Sequence, residues 1–340
     1  ALCKPAFCPD GSGLFITGTE CQDRDLLHLN RLVFAHIDFE HSVLGTRSNG
    51  TPAIWTHGID EHVRDVRWMD PENVVVAMGS TLALCYVSHK DLNELTCEVI
   101  QFPEFHTDYI REISINPEKK SLVLSGGFDG HVYVTDLNAL YAALGSGTST
   151  IQNTMYKGEG EVVGSVNWRF GSTNEASATT DPGKLHVFDI RTEMGAPAVM
   201  YDTGKSELYG HAFMDTNTVL LGFGDGHVET HDLRKRGCIG SVKDVYEDAI
   251  GDVHCKTLPD GSCVCITGGH PGVSVWTALS SADSATSLAI SSHHRAAGVK
   301  FEANPSYKIS GAFVGPESMY FAACDSVGSI LILDTYAPPP

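Results

Sequence analysis

The sequence predicts an all-β fold, a seven-bladed β-propeller, because one strand-and-turn pattern recurs along the whole chain. Two stretches show the pattern best, LSGGFDGHVYVTDL at 124–137 and LGFGDGHVETHDL at 221–233, and five weaker copies share their rhythm. The copies end about 43 to 57 residues apart, near the period of a four-stranded propeller blade. Glycine supplies 34 of the 340 residues, above the usual ~7%, which indicates many turns and short strands.

Each copy reads as a strand, a turn, an apolar strand, a second turn and an alternating strand that ends near an aspartate. The shared Asp-Gly is a tight turn between antiparallel strands, and alternate residues after it point into the blade. We expect one domain, 1–340, whose last copy shows three strands; its outer strand is expected in 306–315 or upstream of Ala1. The approximate blades are 1–57, 58–101, 102–145, 160–204, 205–245, 246–292 and 293–336.

Three polar, Gly/Ser/Thr-rich inserts connect the copies, at 41–61, 140–161 and 280–294, and a short helix is predicted around 137–144. Long connections on a rigid frame are where recognition concentrates. Trp55, Tyr141 and Tyr156 lie in these segments, and aromatic side chains in surface loops are typical interface anchors. They are therefore candidate partner-binding residues.

The third copy, FHTDYIREISINPEKKSLVLSGGFDGHVYVTDL, resembles the WD-repeat family in its histidine, its proline-containing turn, its Ser-Gly run and its Asp-Gly turn. The resemblance implies a WD-repeat-type propeller and a buried hydrogen-bond network of His106, Ser125 and Asp129. Thr135 stands where the family has tryptophan, so this network is incomplete. His62 is the matching histidine of the second copy.

A different histidine, His211, follows a glycine as the family histidine does, but it lies about twenty residues before Asp232. Because the corresponding distance in the third copy, from His106 to Asp136, is about thirty residues, His211 is expected inside the first strand of its copy and outside such a network.

Catalytic and metal-binding motifs are not recognisable, since the sequence has neither a Gly-x-Ser-x-Gly elbow, a His-Glu-x-x-His pair nor a phosphate loop. Cys263 and Cys265 share one strand face, where buried core thiols are the favoured interpretation and weak metal pairing is the alternative. We therefore expect a protein that is not an enzyme, with no cofactor and no metal.

The charge balance narrows the class of partner. Lys and Arg total 23 against 42 Asp and Glu, a formal net charge of −19. A field of that sign repels nucleic acid and anionic membranes and attracts basic proteins. Ten cysteines are scattered, several of them inside apolar runs, which is typical of reduced, buried thiols and indicates the cytoplasm, the nucleus or both.

Two further resemblances suggest particular complexes. Asp-x-Arg ends the fourth and fifth copies at Arg191 and Arg234, which resembles a box in WD-repeat substrate receptors of cullin–RING ubiquitin ligases; the alternative is that each arginine pairs with its own aspartate. Trp68 and Trp168 on first strands are similar to the layout of the methylosome WD-repeat subunit, a cofactor of a protein arginine methyltransferase; the alternative is core packing. The general expectation is a non-enzymatic scaffold or recognition subunit that binds protein partners in a larger complex.

Overall fold

The protein is built almost entirely of short antiparallel strands, which confirms the all-β prediction. The computed structural model describes residues 2–21, 23–39, 41, 43–146, 153–158, 160–192, 199–205, 207–243, 249–257, 263–269, 272–278, 293–295, 310–313, 320–324 and 330–334. Within these ranges the strands form one five-stranded sheet, five four-stranded sheets and one three-stranded sheet, each built from consecutive strands.

The first four sheets lie within residues 6–202. A 3₁₀ helix (Arg24–Leu29) precedes β3, and a helix, α1 (Leu137–Ser146), follows β12 where the sequence predicts one. The strands are β1 (Ala6–Phe7), β2 (Leu14–Gly18), β3 (Arg31–Asp38), β4 (Val43–Leu44) and β5 (Ile54–Gly58); β6 (Val63–Asp70), β7 (Asn73–Met78), β8 (Thr81–Asp91) and β9 (Glu94–Gln101); β10 (Ile110–Ile115), β11 (Leu122–Gly127), β12 (His131–Asp136) and β13 (Asn153–Lys157); and β14 (Val163–Trp168), β15 (Glu175–Thr180), β16 (Lys184–Asp189) and β17 (Val199–Asp202).

The remaining sheets repeat the same order. The three-stranded sheet comes last, and residues 296–309, which precede it, lie outside the described residues. Its first strand is β26 (Ser310–Phe313), which contacts β1, so the expectation of an outer strand in 306–315 is wrong. The strands are β18 (Leu208–Phe213), β19 (Thr218–Phe223), β20 (Val228–Asp232) and β21 (Gly237–Val242); β22 (Ile250–Thr257), β23 (Cys263–Gly269), β24 (Gly272–Ala278) and β25 (His293–Arg295); and β26 (Ser310–Phe313), β27 (Tyr320–Cys324) and β28 (Ile330–Asp334).

Successive sheets pack against each other through their first strands. The first strand of each sheet contacts the first strand of the sheet before it, from β1 with β6 through β22 with β26. In addition, β1 contacts β26, so the series of contacts returns from the last sheet to the first.

Two of the polar inserts contain strands, so the expectation that they are loops is wrong there. Trp55 lies on β5 and Tyr156 lies on β13. Both of these strands pair with the third strand of their sheet. Each becomes the outer strand that the sequence pattern left unassigned. The third insert lies largely outside the described residues; its last two residues, His293 and His294, are on β25.

Two tryptophans link neighbouring sheets. Trp68 Nε1 donates to the carbonyl oxygen of Ala6 at 2.9 Å, and Trp168 Nε1 donates to that of Ser114 at 3.1 Å. Each indole thus bonds the first strand of the preceding sheet, which is the packing role given above as the alternative to a methylosome-like layout.

Glycines on second strands allow the sheets to approach closely. A Cβ added at Gly18 would lie 2.4 Å from Val63 Cβ, one at Gly126 2.5 Å from Val163 Cγ1, and one at Gly222 2.7 Å from a methyl of Ile250. The same contact, between a second-strand glycine and the first apolar residue of the next sheet, therefore recurs at three interfaces. Glycine is needed at these three positions because the space between the sheets excludes a side chain. The backbone conformation does not require it, since none of the three has a positive φ.

A β-bulge recurs at one place in five first strands. The register with the second strand shifts by one residue between Val63 and Asp65, and equivalent shifts occur in β10, β14, β18 and β22. A bulge places one extra residue in a strand and changes the direction of nearby side chains. The residues that resume the pairing are Asp65, Glu112, Ser165, Gly210 and Asp252.

No helix in the described ranges has the length and hydrophobicity of a membrane span.

We predict that Gly126→Ala lowers the free energy of unfolding by about 1–3 kcal/mol, because the new methyl overlaps the buried, β-branched Val163 and Val166. Urea denaturation measures the change. Gly145→Ala is the matched control, since nothing lies within 4 Å of its added Cβ and alanine favours the helix there. If Gly126→Ala were as stable as Gly145→Ala, or more stable, the sheets would not be in tight contact at Gly126.

Candidate functional site

Five charged side chains, four from first strands and one from just before β1, converge where the sheets meet. They are Lys4, which precedes β1, Asp65 and Arg67 on β6, Glu112 on β10, and Asp252 on β22, and together they form what we name the charged cluster. The bulges explain the convergence, because three of these residues resume the pairing after a bulge. A cavity of about 40 Å³ lies beside them.

Lys4 is the cation that joins distant sheets. Its Nζ lies 2.8 Å from Glu112 Oε1 and 2.6 Å from Asp252 Oδ1, and its side chain is only 7% exposed. Burial alone would lower the pKa of Lys4, but the carboxylates of Asp252 and Glu112 outweigh it and raise that pKa above its ordinary value.

Glu112 connects the cluster to two further groups. One carboxylate oxygen accepts from Lys4 and, at 3.3 Å, from Arg67 Nη2, while the other accepts from the backbone N–H of Val166 at 3.0 Å. Burial opposes ionisation, yet Lys4 and Arg67 hold the pKa of Glu112 below its usual value. Asp252 behaves in the same way, since Lys4 and His254 keep its pKa low despite burial.

Asp65 is the carboxyl least favoured as an anion. It accepts from Arg67 Nη1 at 2.8 Å and from the backbone N–H of Ile113 at 2.9 Å. Burial nevertheless raises the pKa of Asp65, and the negative charge of Glu112 adds to the rise. The cluster therefore holds three carboxyl groups against two cations in an enclosed space.

Two arginines at the bulges of β6 and β10 pack on aromatic rings beside this cluster. The Arg111 guanidinium lies 4.8 Å from the Tyr209 ring centroid and 5.8 Å from that of Phe128, and Arg64 lies 5.3 Å from the Phe128 centroid. Arg64 also pairs with Glu20. Burial lowers the pKa of Arg64 to about 10, and Arg111 adds to this effect.

This geometry is better suited to joining sheets than to binding a substrate. A cavity of about 40 Å³ accommodates a few water molecules, whereas small-molecule sites are typically ~300–1,000 Å³.

A cleft of about 320 Å³ lies elsewhere, between the first two sheets, and is lined by Asp10, His36, Trp55 and His89 among others. There His89 Nε2 lies 3.9 Å from Asp10 Oδ2.

The structure brings the three residues of the WD-repeat network together. His106 Nε2 lies 3.0 Å from Ser125 Oγ, and His106 Nδ1 lies 3.0 Å from both carboxylate oxygens of Asp129. Burial would raise the pKa of Asp129, but the hydrogen bond with His106 lowers it below its usual value. Thr135, at the tryptophan position, is buried, and its hydroxyl has no hydrogen-bond partner within the described part of the chain.

The other two histidines differ from this arrangement. His62 is fully buried; its Nδ1 lies 2.6 Å from Glu61 Oε1, and its ring edge packs on Tyr109. His211 lies within β18, as expected, and bonds Ser177 and Ser165 of the preceding sheet. Burial lowers the pKa of His211 to about 4, so the ring is neutral at pH 7.

The predicted partner-binding residues do not form one site. Arg191 Nη2 lies 2.6 Å from Asp189 and Arg234 Nη2 lies 3.0 Å from Asp232, so each arginine pairs with its own aspartate while its side chain stays about two thirds exposed. Tyr141 is 52% exposed on α1.

The two aromatic residues on strands make intramolecular contacts. Trp55 packs against the apolar core between the first two sheets, beneath the guanidinium of Arg47. The hydroxyl of Tyr156 donates to Glu161 at 2.7 Å, and its ring lies against His186.

Sequence reasoning missed the charged cluster. The available signal was the pair of charged residues that interrupts apolar first strands, as in VRDV at 63–66 and IREI at 110–113. Lys4 carried no signal, because it precedes the first recognised strand and reaches its partners only through the contacts between sheets.

Comparison with solved structures identifies architectures of the same kind. The protein is similar to a chain in a structure of the outer coat vertex of COPII on membranes, with a TM-score of 0.75 and 15% identity over 99% of this chain and 85% of that one. A chain in a structure of the COPII coat assembled on membranes gives the same TM-score and identity, and this protein spans 47% of its length. No protein-family model and no curated protein sequence matches.

At this identity the likeness concerns the fold. The neighbours are β-propellers, in agreement with the antiparallel sheets described above, and a WD-repeat-type β-propeller is consistent with both.

We predict that Asp252→Asn lowers the free energy of unfolding at pH 7 by about 3–5 kcal/mol, because it leaves buried Lys4 with one carboxylate. The low folded-state pKa values of Asp252 and Glu112 give stability that is present above the unfolded pKa, near 4, and is lost as the pH falls below it. The difference between wild type and variant should therefore shrink in urea denaturation below about pH 4.

The control for this experiment is Asp189→Asn, which removes the negative charge paired with the exposed guanidinium of Arg191 and should leave the urea midpoint unchanged. A pH-independent difference, or equal losses in both variants, would contradict a stabilising role for the charged cluster.

Proposed function

We propose that the protein is a non-enzymatic scaffold, a seven-bladed WD-repeat-type β-propeller that holds basic protein partners within a multiprotein assembly. The observation that carries the proposal is an unequal distribution of exposed charge between the two faces of the sheets. Its similarity in fold to chains of an assembled coat supports the scaffold role.

The two faces follow from strand order. In each antiparallel sheet, the turn between the second and third strands lies at the same end as the connections to neighbouring sheets. We name the surface that these segments form the connecting face. The turns between first and second strands and between third and fourth strands lie at the other end, which we name the opposite face.

Exposed carboxylates dominate the connecting face. Within the described residues, its turns and connections have seven exposed acidic side chains and one exposed lysine, Lys243. Such a field attracts cationic surfaces and accelerates their association. The acidic residues are Asp23, Asp25, Asp60, Glu104, Asp108, Glu207 and Asp225.

The opposite face is mixed in charge. Exposed acidic residues such as Glu72, Glu94 and Glu118 are offset by a group of exposed cations. These cations are Lys119, Lys120, Arg191, Arg234, Lys235 and Arg236. A basic partner therefore gains more from the connecting face.

A closed ring of seven blades is supported by the contact of β1 with β26 and by the recurrence of one bulge in five first strands. Radial repetition leaves only short, protected sheet edges and two broad faces for partners. The mutual ion pairing of the charged cluster and its small cavity support a structural centre without catalysis. The free cysteines of the described residues fit a reducing compartment, the cytoplasm or the nucleus.

A second candidate function, adaptor docking as in ubiquitin-ligase receptors, is favoured by one observation. Arg191 and Arg234 follow the third strands of adjacent sheets, so both lie on the opposite face, and both side chains are exposed. Tyr141 is exposed on α1, which follows the third strand β12, so it also lies near the opposite face.

We predict that replacing Asp25, Asp60 and Glu104 with lysine abolishes capture of stoichiometric partners from cell extract and removes the salt sensitivity of that capture, since exposed charge pairs are screened by salt. Affinity purification with quantitative mass spectrometry at moderate and high salt measures both. The matched control replaces Glu72, Glu94 and Glu118 with lysine on the opposite face, with the same change in net charge. If both variants lost partner capture equally, the effect would be due to net charge alone, which would refute the face-specific proposal.

For the second candidate, Arg191→Glu with Arg234→Glu should abolish adaptor capture and leave the urea midpoint unchanged, because both guanidinium groups are exposed. Lys119→Glu with Lys120→Glu is the control on the same face. Retained capture in the arginine variant would eliminate adaptor docking through these residues.

A further inference from the structure

Three cysteine side chains meet between β22 and β23. Cys255 on β22 is directly opposite Cys265 on β23, and Cys263 lies two residues from Cys265 on the same face of that strand. The three sulfur atoms all lie within 4.8 Å of one another. The sequence indicated the pair on β23 only, because Cys255 joins it through strand register.

The sulfur positions are close to those that one metal ion requires. Cys263 Sγ lies 3.7 Å from Cys265 Sγ, and two thiolates bound tetrahedrally to one Zn²⁺ at ~2.3 Å are separated by about 3.8 Å. Cys255 Sγ lies 2.8 Å from Cys265 Sγ, so it would move outward by roughly 1 Å to reach the same spacing. Its side chain is half-buried, whereas Cys263 and Cys265 are buried.

Metal binding here would release protons, because the thiolate, and not the thiol, is the metal-binding form of cysteine.

The surroundings are those of a soft-metal site. The three thiols belong to an apolar cluster that includes the thioether of Met214 and the indole of Trp276. Thiolate and thioether ligands select soft or borderline cations, and a divalent ion leaves less uncompensated negative charge with three thiolates than a monovalent ion does.

We propose that Cys255, Cys263 and Cys265 bind one Zn²⁺ ion through three thiolates, with the fourth position open to Met214 or water. The ion would join β22 to β23 next to the preceding sheet, where Thr257 Oγ1 donates to the carbonyl of Met214 at 3.1 Å. This site is independent of the proposed function and of the partner.

A second group of potential ligands, Glu229, His231 and Cys238, lies on the fifth sheet and is less suitable. Glu229 pairs with Lys205 and bonds His231 at 2.7 Å, and the other nitrogen of His231 bonds the Tyr201 hydroxyl at 2.9 Å. These side chains already satisfy one another.

The test uses the full chain, reduced and freed of metal, and Co²⁺ as the spectroscopic substitute for Zn²⁺. We expect one Co²⁺ per chain, a sulfur-to-cobalt charge-transfer band in the near ultraviolet, displacement of Co²⁺ by Zn²⁺, and weaker binding as the pH falls, since the thiols must lose their protons to bind the metal. Zn²⁺ should raise the melting temperature with a concentration dependence that follows its affinity.

Variants locate the ligands. Cys255→Ser and Cys263→Ser should each weaken Zn²⁺ binding by at least about tenfold, while Cys238→Ser, which changes an exposed cysteine of the fifth sheet, should not. If a variant fails to fold, the wild-type chain still tests the site, because Zn²⁺ should slow the alkylation of half-buried Cys255, mapped by mass spectrometry, and should not slow that of exposed Cys238.

Two results would overturn the proposal. One is a reduced chain that shows no thiolate–cobalt band, or a band that persists in both ligand variants. The other is a Cys255–Cys265 disulfide in the purified chain with no metal binding after reduction, which would identify the pair as a redox couple instead.

Discussion

The buried ammonium group of Lys4 is the constraint on which the arrangement of the sheets depends. It is paired with Glu112 on the third sheet and Asp252 on the sixth, so one side chain from the start of the chain joins three sheets that are distant in sequence. Removing charges from water is costly and is offset only when every partner is present. The first strands must therefore meet in one register and at one distance for the cluster to form.

Charge inside the molecule and charge on its surface have separate roles. In the cluster, carboxylates and cations neutralise one another at distances near 3 Å, so little of that charge is left for a partner. On the connecting face the exposed carboxylates have few cationic neighbours, and their field extends about a Debye length into solvent, ~8 Å at physiological ionic strength. The proposed binding of basic proteins rests on this acidic face.

Local sequence patterns predicted the local structure well and the long-range structure poorly. The Asp-Gly turns lie where expected, and Gly130 and Gly226 have the positive φ that such turns need. The sequence predicts loops around Trp55 and Tyr156, because polar, glycine-rich flanks weaken the strand pattern of these outer strands, and their pairing depends on the rest of the sheet. The charged cluster could not be predicted, since its members are brought together by contacts between sheets.

Strand register explains why the charged cluster and the three cysteines escaped sequence reasoning together. In β22 the pairing passes from Ile250 with Gly269 to Asp252 with Gly268, so one extra residue precedes both Asp252 and Cys255. Without that bulge Cys255 would oppose Val264, and a one-residue slip turns a side chain to the other face of its sheet. The bulge that brings Asp252 to Lys4 therefore also brings Cys255 to Cys265, and a change in one arrangement would disturb the other.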